Sequence, residues 1–480
     1  MKKSSIFIAI AVLALCLVGW LVLVTQKASE KVPVDDLARQ ADEWTEKGLY
    51  QRAIANYQTA LDAEPSKALY EKILNAYQLR YAEAPEQTED DFVSFLCDAT
   101  GVYPAKAEFV DPLVAIYQSQ DDVESAYSCL KQAIANGYDD ESVRAKFLAT
   151  KYAWELRAGQ FAEIKASASG IYATNRDGKW NLFSNEDGEL LDADYNYVGL
   201  CSADGIVAAT GEDSRLITTD GMVLGIFGGN VTDAGIYADG LIPACVDGVY
   251  GYYDEFAEKQ LGEFEMAGVF QNEAAAVKAD GKWKLINKKG KSESDTFDEI
   301  VLDNSGRYLV GDRILVKDGE TYKIYDKDWK KPVKLDCSDT DILTADGCIA
   351  VCENGKWGFV DAEGKTVIKP TYDEAKSFSN GLAAVRMGNL WGFINRDNQL
   401  VIDYQFADAG YMDANGICPV RTDLPQQSAT QTEPAADKNA EDTNQTENAG
   451  EKPGGETAAQ TEQVPPEWCF LQLRLGIVTE

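Results

Sequence analysis

The residue types that could do chemistry are few in this chain of 480 residues, because it contains no histidine. Histidine is the usual general base and zinc ligand, and the nucleophiles that depend on it are excluded with it. Carboxylate pairs, lysine bases and sites built from cysteine alone remain open, but no motif for any of them is present. We therefore predict a protein that is not an enzyme and has no catalytic, cofactor-binding or metal-ligating residues. A hydrolase with two carboxylates in one cleft is the least favoured alternative.

The ten cysteines are scattered along the chain and form no CxxC pair. Cys348 and Cys352 are the closest, at a spacing that places both on the same face of one strand. We interpret them as small hydrophobic residues of a repeated core. A disulfide elsewhere between repeats stays open, because connectivity cannot be read from spacing.

The charge of the chain limits its partners. The formal net charge of −34 argues against nucleic acids and anionic lipid surfaces, which need a basic patch to neutralise their phosphates. Basic partners remain open, and acidity also maintains solubility. With 45% apolar residues the chain has ample material for folded domains.

Two segments near the end of the chain are almost copies of each other. Residues 355–361 read GKWGFVD and residues 389–395 read NLWGFIN, with their tryptophans 34 positions apart. An apolar run and a tight-turn pair precede each tryptophan, and a third extended run follows it. This pattern resembles the bacterial WG-repeat family, whose consensus is also matched by Pro370, Tyr372, Asp373, Phe378 and Gly381.

The same template extends over the second half of the chain. Its aromatic position falls, in chain order, on Trp180, Ser214, Tyr250, Trp283, Tyr322, Trp357, Trp391 and Trp468. The first seven positions are spaced by 33 to 39 residues. The last interval becomes regular when the polar stretch 422–466 is treated as a disordered insertion in the hairpin loop of an eighth repeat. We predict a β-domain over residues 170–480, either propeller-like or an open β-spiral, with ring closure undecided because no overlapping strand is visible.

The recurring aromatic residue has two interpretations. A single aromatic residue locked to the repeat period is typical of a core position. Exposed aromatic faces would instead support a cell-wall or carbohydrate-binding module, with a glycan as partner. Burial of Trp180, Trp283, Trp357 and Trp391 would contradict that alternative.

Residues 34–158 show the three and four residue spacing of amphipathic helices. This segment resembles a tetratricopeptide repeat through Leu37, Ala41, Trp44, Gly48, Tyr50, Ala53, Tyr57, Ala60 and Pro65, with a second match from Leu113 to Ala133. Residues 141–157 are predicted to be a helix that covers the last pair. The resemblance implies a concave surface that binds peptides or proteins, and a spacer or an oligomerisation element is the alternative.

An apolar run at residues 6–24 follows Lys2 and Lys3. Nineteen helical residues span roughly 28 Å, close to the hydrocarbon thickness of a bilayer. We predict a signal anchor over residues 1–27, with a cleaved signal peptide as the alternative. The positive flank predicts a single-pass protein of the cell membrane with the bulk of the chain outside the cytoplasm.

The predicted fold is therefore multidomain, with a transmembrane helix, tetratricopeptide-like hairpins and a β-domain of about eight repeats. The predicted function is a membrane-anchored, extracytoplasmic scaffold that binds a protein or peptide through its two kinds of repeat. No cofactor and no nucleic acid partner is expected.

Overall fold

The computed structural model describes residues 32–165, 170–184, 186–422 and 467–477. The chain forms two compact units that divide between Lys151 and Tyr152. The first unit is helical and the second is built of β-strands.

The helical unit has seven helices in its described part. They are α1 (Val34–Glu46), α2 (Tyr50–Ala63), α3 (Lys67–Glu83), α4 (Pro85–Val102), α5 (Ala107–Ser119), α6 (Val123–Ala135) and α7 (Glu141–Lys151). Ser66 and Asp122 cap α3 and α6 by accepting hydrogen bonds from backbone N–H groups of the first turn. The small residues Ala53 and Ala60 are fully buried, so neighbouring helices can approach closely where these residues lie.

A membrane-spanning helix was part of the predicted fold class, and the structure does not support it. In the four described ranges, no helix is both long and apolar enough to cross a bilayer. The longest, α4, has 18 residues and includes Glu89, Asp90 and Asp91. The apolar run at residues 6–24, on which the prediction rested, lies outside the described residues. The fold class is therefore corrected to seven helices followed by an eight-bladed β-propeller.

The β-unit consists of eight antiparallel sheets, which are the blades of the propeller. Blade 1 holds β2 (Glu163–Lys165), β3 (Ile171–Arg176), β4 (Lys179–Ser184) and β5 (Gly188–Glu189); blade 2 holds β6 (Tyr197–Val198), β7 (Ile206–Thr210), β8 (Ser214–Thr218) and β9 (Val223–Ile226). Blade 3 holds β10 (Val231–Ala234), β11 (Ile242–Val246), β12 (Val249–Tyr253) and β13 (Lys259–Phe264); blade 4 holds β14 (Met266–Ala267), β15 (Ala274–Ala279) and β16 (Lys282–Asn287).

The second half of the ring repeats this arrangement. Blade 5 holds β17 (Glu299–Ile300), β18 (Arg313–Asp318), β19 (Thr321–Asp326) and β20 (Val333–Lys334); blade 6 holds β21 (Asp339–Thr340), β22 (Cys348–Glu353), β23 (Lys356–Asp361) and β24 (Thr366–Tyr372). Blade 7 holds β25 (Glu374–Ala375), β26 (Leu382–Met387), β27 (Leu390–Asn395) and β28 (Leu400–Phe406); blade 8 holds β29 (Asp408–Ala409), β30 (Ile417–Arg421), β31 (Trp468–Leu473) and β1 (Trp154–Phe161).

The ring is closed by the first strand of the β-unit. Strand β1 pairs with β31 in register Trp154↔Leu473 to Arg157↔Phe470, so blade 8 takes strands from both ends of the unit. Sequence reasoning missed this strand, because residues 141–157 were assigned to a covering helix. The helix ends at Lys151 instead, and its continuation supplies the backbone groups that complete β31.

Strands β30 and β31 are neighbours although a long stretch of sequence separates them. Val420 pairs with Cys469 and Arg421 with Trp468. The two strands therefore form a hairpin whose connection contains the polar stretch predicted to be an insertion. Residues 423–466 of that stretch lie outside the described residues.

The recurring aromatic residue lies on the third strand of its blade, and the glycine after it has a steric reason. A Cβ atom at Gly358 would lie 2.6 Å from the carbonyl oxygen of Ile368, and one at Gly392 would lie 2.7 Å from that of Ile402. The fourth strand bulges against the third at both places. The Trp-Gly pair thus combines a large core side chain with a backbone position that the next strand approaches closely.

Closure of the ring can be tested with two substitutions in β1. Phe161 is 2% exposed and packs on Phe183 and Phe470, whereas Leu156 in the same strand is 46% exposed. We expect Phe161→Ala to lower the free energy of unfolding by about 3 to 5 kcal/mol through the lost packing. Leu156→Ala should cost less than about 1 kcal/mol. Denaturant unfolding of both variants checks this, and equal losses would contradict the role given to Phe161.

Candidate functional site at the propeller axis

The innermost strand of each blade is short, and the blades can be aligned through its pairing with the second strand. One aligned position, which we call the axial position, is occupied in blades 1 to 8 by Lys165, Gly199, Gly235, Gly268, Val301, Asp341, Lys376 and Gly410. In seven blades the backbone N–H of this residue donates to a carbonyl of the second strand, and in blade 1 Lys165 pairs with Ala173. Four of the eight residues are glycine, so space remains at the centre of the ring.

A cavity of about 480 Å³ lies at this centre. Residues at or next to the innermost strands of seven blades line it, so it lies on the propeller axis. Its lining includes Lys165, Asp233, Met266, Asp303, Lys376 and Tyr411. This volume lies within the usual range of ligand-binding cavities.

Two lysines at axial positions are held by aromatic rings. The Lys165 ammonium nitrogen lies 4.7 Å from the ring centre of Trp180 and 4.8 Å from that of Tyr197. Lys376 repeats this arrangement, with its nitrogen 5.7 Å from the Trp391 ring and 5.3 Å from the Tyr411 ring. In each case the tryptophan belongs to the blade of the lysine and the tyrosine to the next blade. Such contacts contribute about 0.5 to 2 kcal/mol each and fix the direction of the ammonium group.

The carboxylates near the axis are bonded to donors of the protein itself. Asp233 accepts hydrogen bonds from the phenols of Tyr197 and Tyr250, at 3.2 and 2.5 Å. Asp341 accepts from the Tyr411 phenol at 2.7 Å and from the backbone N–H of Ser377 at 2.6 Å. Because Asp341 lies in blade 6 and these donors lie in blades 8 and 7, its side chain connects three blades at the axis.

Asp303 is the third carboxylate at this site. It accepts hydrogen bonds from the backbone N–H groups of Ser305 and Arg307, each at 2.8 Å. Burial raises the pKa of its carboxyl, and these two N–H groups oppose the rise. Its oxygens therefore serve to shape the loop that follows β17.

The two lysines differ from the propeller lysines that form ion pairs. Lys282 and Lys356 each form an ion pair, with Asp298 and Asp373 respectively. Within the described part of the chain, neither Lys165 nor Lys376 lies within 4 Å of a carboxylate oxygen. Their N–H donors remain available to a ligand that enters the cavity.

The phenols beside the lysines are partly buried. Burial raises the pKa of both Tyr197 and Tyr411 far above the usual value, and the nearby carboxylates Asp233 and Asp341 add to the rise. Both phenols therefore stay neutral and keep donating to these carboxylates across the physiological range.

The recurring aromatic residues are mostly core residues. Trp180, Trp283 and Trp391 are 6 to 7% exposed, and Trp357 is half-buried. Flat, open aromatic faces of the kind that stack on sugar rings are therefore missing at the first three positions. Two of these tryptophans instead direct a lysine into the axial cavity.

Burial makes several of the described cysteines poor nucleophiles. The nine described cysteines are free, and six of them are buried. Burial raises the pKa of the Cys348 thiol to about 11 and also raises that of Cys418, so their reactive thiolate forms are scarce at neutral pH. Over the described ranges, no group of three His, Cys, Asp or Glu side chains could hold a metal ion.

A wider cavity of about 1010 Å³ lies among the loops of blades 8, 1 and 2. Glu186, Asp187 and Asp220 line it, together with Arg157. It is open to solvent and adjoins residues 166–169 and 185, which the structure does not describe. The axial cavity is therefore the better defined candidate site.

Sequence reasoning named the tryptophans but missed the lysines. The signal was present, because the axial position falls 15 residues before the aromatic position in five of the eight repeats, and Lys165 and Lys376 are two of these five. The spacing could not show that the position faces the ring axis.

The partly buried phenols predict how stability depends on alkaline pH. A tyrosine whose pKa is raised in the folded state contributes stability that is complete below the unfolded value of about 10. That contribution is lost as the pH rises from there towards the folded pKa, at about 1.4 kcal/mol per pH unit for each such group. We expect Tyr411→Phe to make the fall in unfolding free energy between pH 10 and 11 shallower by about this amount. Urea unfolding at both pH values measures it, and an unchanged slope would contradict the burial of this phenol.

Comparison with known proteins supports the repeat assignment. The model of the WG containing repeat matches residues 260–283, in blades 3 and 4, and residues 357–391 and 391–423, which begin in blades 6 and 7. No family model supports the tetratricopeptide-like resemblance of the helical unit, which stays a prediction. No curated protein matches the chain.

Several solved structures resemble the β-unit weakly. Hsv2 of Kluyveromyces lactis is 8% identical, with 55% of this chain and 94% of that chain covered and a TM-score of 0.35. A eukaryotic initiation factor is 14% identical, with 58% and 86% covered and a TM-score of 0.38. PorZ, a bacterial surface component of the type-IX secretion system of Porphyromonas gingivalis, is 10% identical, with 57% and 43% covered and a TM-score of 0.33. At these TM-scores the likenesses carry no argument. The family match is the informative comparison: three stretches of the propeller match the WG containing repeat.

Proposed function

We propose that this protein is a non-enzymatic scaffold that binds a segment of a partner protein at the axial cavity of its propeller. The observation that carries the proposal is the cavity itself, in which the Lys165 and Lys376 ammonium groups are oriented by rings and have N–H donors to spare. A propeller built of WG repeats suits an interaction scaffold, because its closed ring holds the strand ends and loops of many blades around one axis.

Binding fits the site better than catalysis. Two of its carboxylates, on Asp233 and Asp341, are bonded to partly buried phenols, and Asp303 holds a turn. A general acid or base needs a free oxygen within reach of its substrate. Both carboxylate oxygens of Asp233 and Asp341 accept hydrogen bonds from protein donors, and one oxygen of Asp303 does. The lysine ammonium groups, in contrast, can bond a ligand without first breaking an ion pair.

A cell-wall or carbohydrate-binding module is the alternative function, and the site gives it less support. That function was predicted to need exposed tryptophans, yet Trp180, Trp283 and Trp391 are buried and Trp357 is half-buried. The helical unit remains a second candidate surface for a peptide, as its resemblance to tetratricopeptide repeats implies. An extracytoplasmic location stays a prediction from the sequence, because no described residue tests it.

Site-specific photo-crosslinking in the full-length chain tests the proposal. Benzoylphenylalanine is placed at Asn304, an exposed residue of the cavity lining, and in a control at Phe256, which is 60% exposed in the turn after β12. We expect a discrete protein adduct from position 304 in the producing cells and none from position 256.

A second lining position protects the experiment from a single unfavourable geometry. Met266 lines the same cavity and is 44% exposed. If positions 304 and 266 both fail to give an adduct, or if position 256 gives the same one, the axial face is not the binding surface.

A further inference from the structure

We infer that the axial cavity recognises an acidic peptide segment, with Lys165 and Lys376 bonding its carboxylates. This inference rests on the proposed function and specifies the chemistry of the partner. It starts from a contrast in a chain that carries 79 acidic and 45 basic residues. In so acidic a protein, Lys165 and Lys376 line an axial cavity, are held by aromatic rings and, among the described residues, have no carboxylate oxygen within 4 Å.

The propeller does not need lysine at these positions for its fold. The axial position is glycine in blades 2, 3, 4 and 8 and valine in blade 5, and these blades form the same inner strand. The lysine side chain also loses conformational freedom when rings hold it. Compared with glycine or valine at this position, Lys165 and Lys376 add an oriented ammonium group.

The two lysines approach the cavity from one side of the ring. They lie in blades 1 and 7, on either side of blade 8, whereas Asp233 and Asp303 lie in blades 3 and 5, on either side of blade 4. Blade 4 is opposite blade 8 in a ring of eight. The two lysines therefore form a cationic side of the cavity lining next to blade 8. Asp341 of blade 6 lies near this side but does not line the cavity, and its carboxylate accepts from Tyr411 and Ser377. An acidic side chain that enters the cavity is directed to the lysines.

The ring faces set how each ammonium group can bond. Trp180 and Tyr197 contact Lys165 through their π-faces, which attract the positive charge but accept no strong hydrogen bond from it. Each of the three N–H donors can therefore be directed at a carboxylate oxygen. Inside a partly dehydrated cavity, such a charge-assisted bond is stronger than at an open surface.

The apolar lining favours a peptide over a small free anion. Ile164, Leu200, Met266 and Leu302 line the same cavity as the lysines. A peptide segment with acidic residues flanked by leucine-sized residues can bond the lysines and also pack on the apolar lining. A bare dicarboxylate can only bond the lysines.

Calorimetric titration of the full-length protein tests this with two capped hexapeptides, Gly-Leu-Glu-Glu-Leu-Gly and its neutral match Gly-Leu-Gln-Gln-Leu-Gly. We expect the glutamate peptide to bind at least tenfold more tightly than the glutamine peptide. Raising the salt from about 50 to 300 mM should weaken the glutamate peptide, because partly exposed charges are screened. Equal binding of both peptides, or no binding of either at millimolar concentration, would overturn the inference.

Charge variants separate the axial lysines from general electrostatics. The double variant K165Q/K376Q should bind the glutamate peptide at least tenfold more weakly than the unmodified protein. K289Q/K291Q removes the same charge at two exposed residues that do not line the cavity and should change the affinity less than twofold. Equal effects of the two pairs would contradict a specific role.

Two further measurements test whether the variants are folded and which type of anion binds. K165R/K376R keeps both charges and should bind the glutamate peptide within about threefold of the unmodified protein. If it does, and if it has the same melting temperature as K165Q/K376Q, misfolding does not explain the loss of binding in K165Q/K376Q. Succinate should bind at least tenfold more weakly than the peptide, and equal affinity would overturn the assignment to a peptide. If crosslinking at position 304 persists in K165Q/K376Q, the proposed function stands and only this inference fails.

Discussion

The pairing of β1 with β31 is the interaction on which the rest of the β-unit depends. Each blade is too small to fold alone and buries its apolar face against its neighbours, so an open end would leave one blade face and one strand edge in water. Strand β1 removes that edge by completing blade 8, and Phe161 packs on Phe470 in the same step. Closure also fixes the positions of all eight inner strands around one axis. The cavity forms, and the two lysines come together in its lining, only because the ring is closed.

The recurring Trp-Gly pair illustrates how one short motif serves several levels of structure. The tryptophan fills the core between neighbouring blades, and the glycine after it lets the bulged fourth strand approach within contact distance. At Trp391, and at Trp180, which is followed by Asn181 rather than glycine, the core ring also lies beneath a lysine ammonium group. A residue required by the fold thus orients a residue that the fold does not require. This is a physical route by which a repeat protein can gain a binding site without a change in its repeat.

Charge is distributed unevenly over this acidic chain. On the propeller surface lysines such as Lys282 and Lys356 meet carboxylates, whereas at the axis the carboxylates meet phenols and backbone N–H groups. The consequence is that Asp341 joins three blades while Lys376 remains able to bond a ligand. The axial carboxylates therefore stabilise the ring, and the binding role proposed for this site falls to the lysines.

The sequence by itself determined the repeat period, the position of the aromatic residue in the strand after the hairpin turn and the place of the eighth repeat, whereas the innermost strand of each blade, which makes that strand the third, came from the structure. These are local properties, because alternating apolar residues and turn pairs act within about 35 residues of chain. The sequence also favoured a helix for residues 141–157 and a membrane span at residues 6–24. The first was corrected by the strand Trp154–Phe161, and the described residues do not support the second. Ring closure and the grouping of Lys165 with Lys376 were decided only by tertiary structure. Closure joins strands more than 300 residues apart, and no local pattern records which edge such a strand will meet.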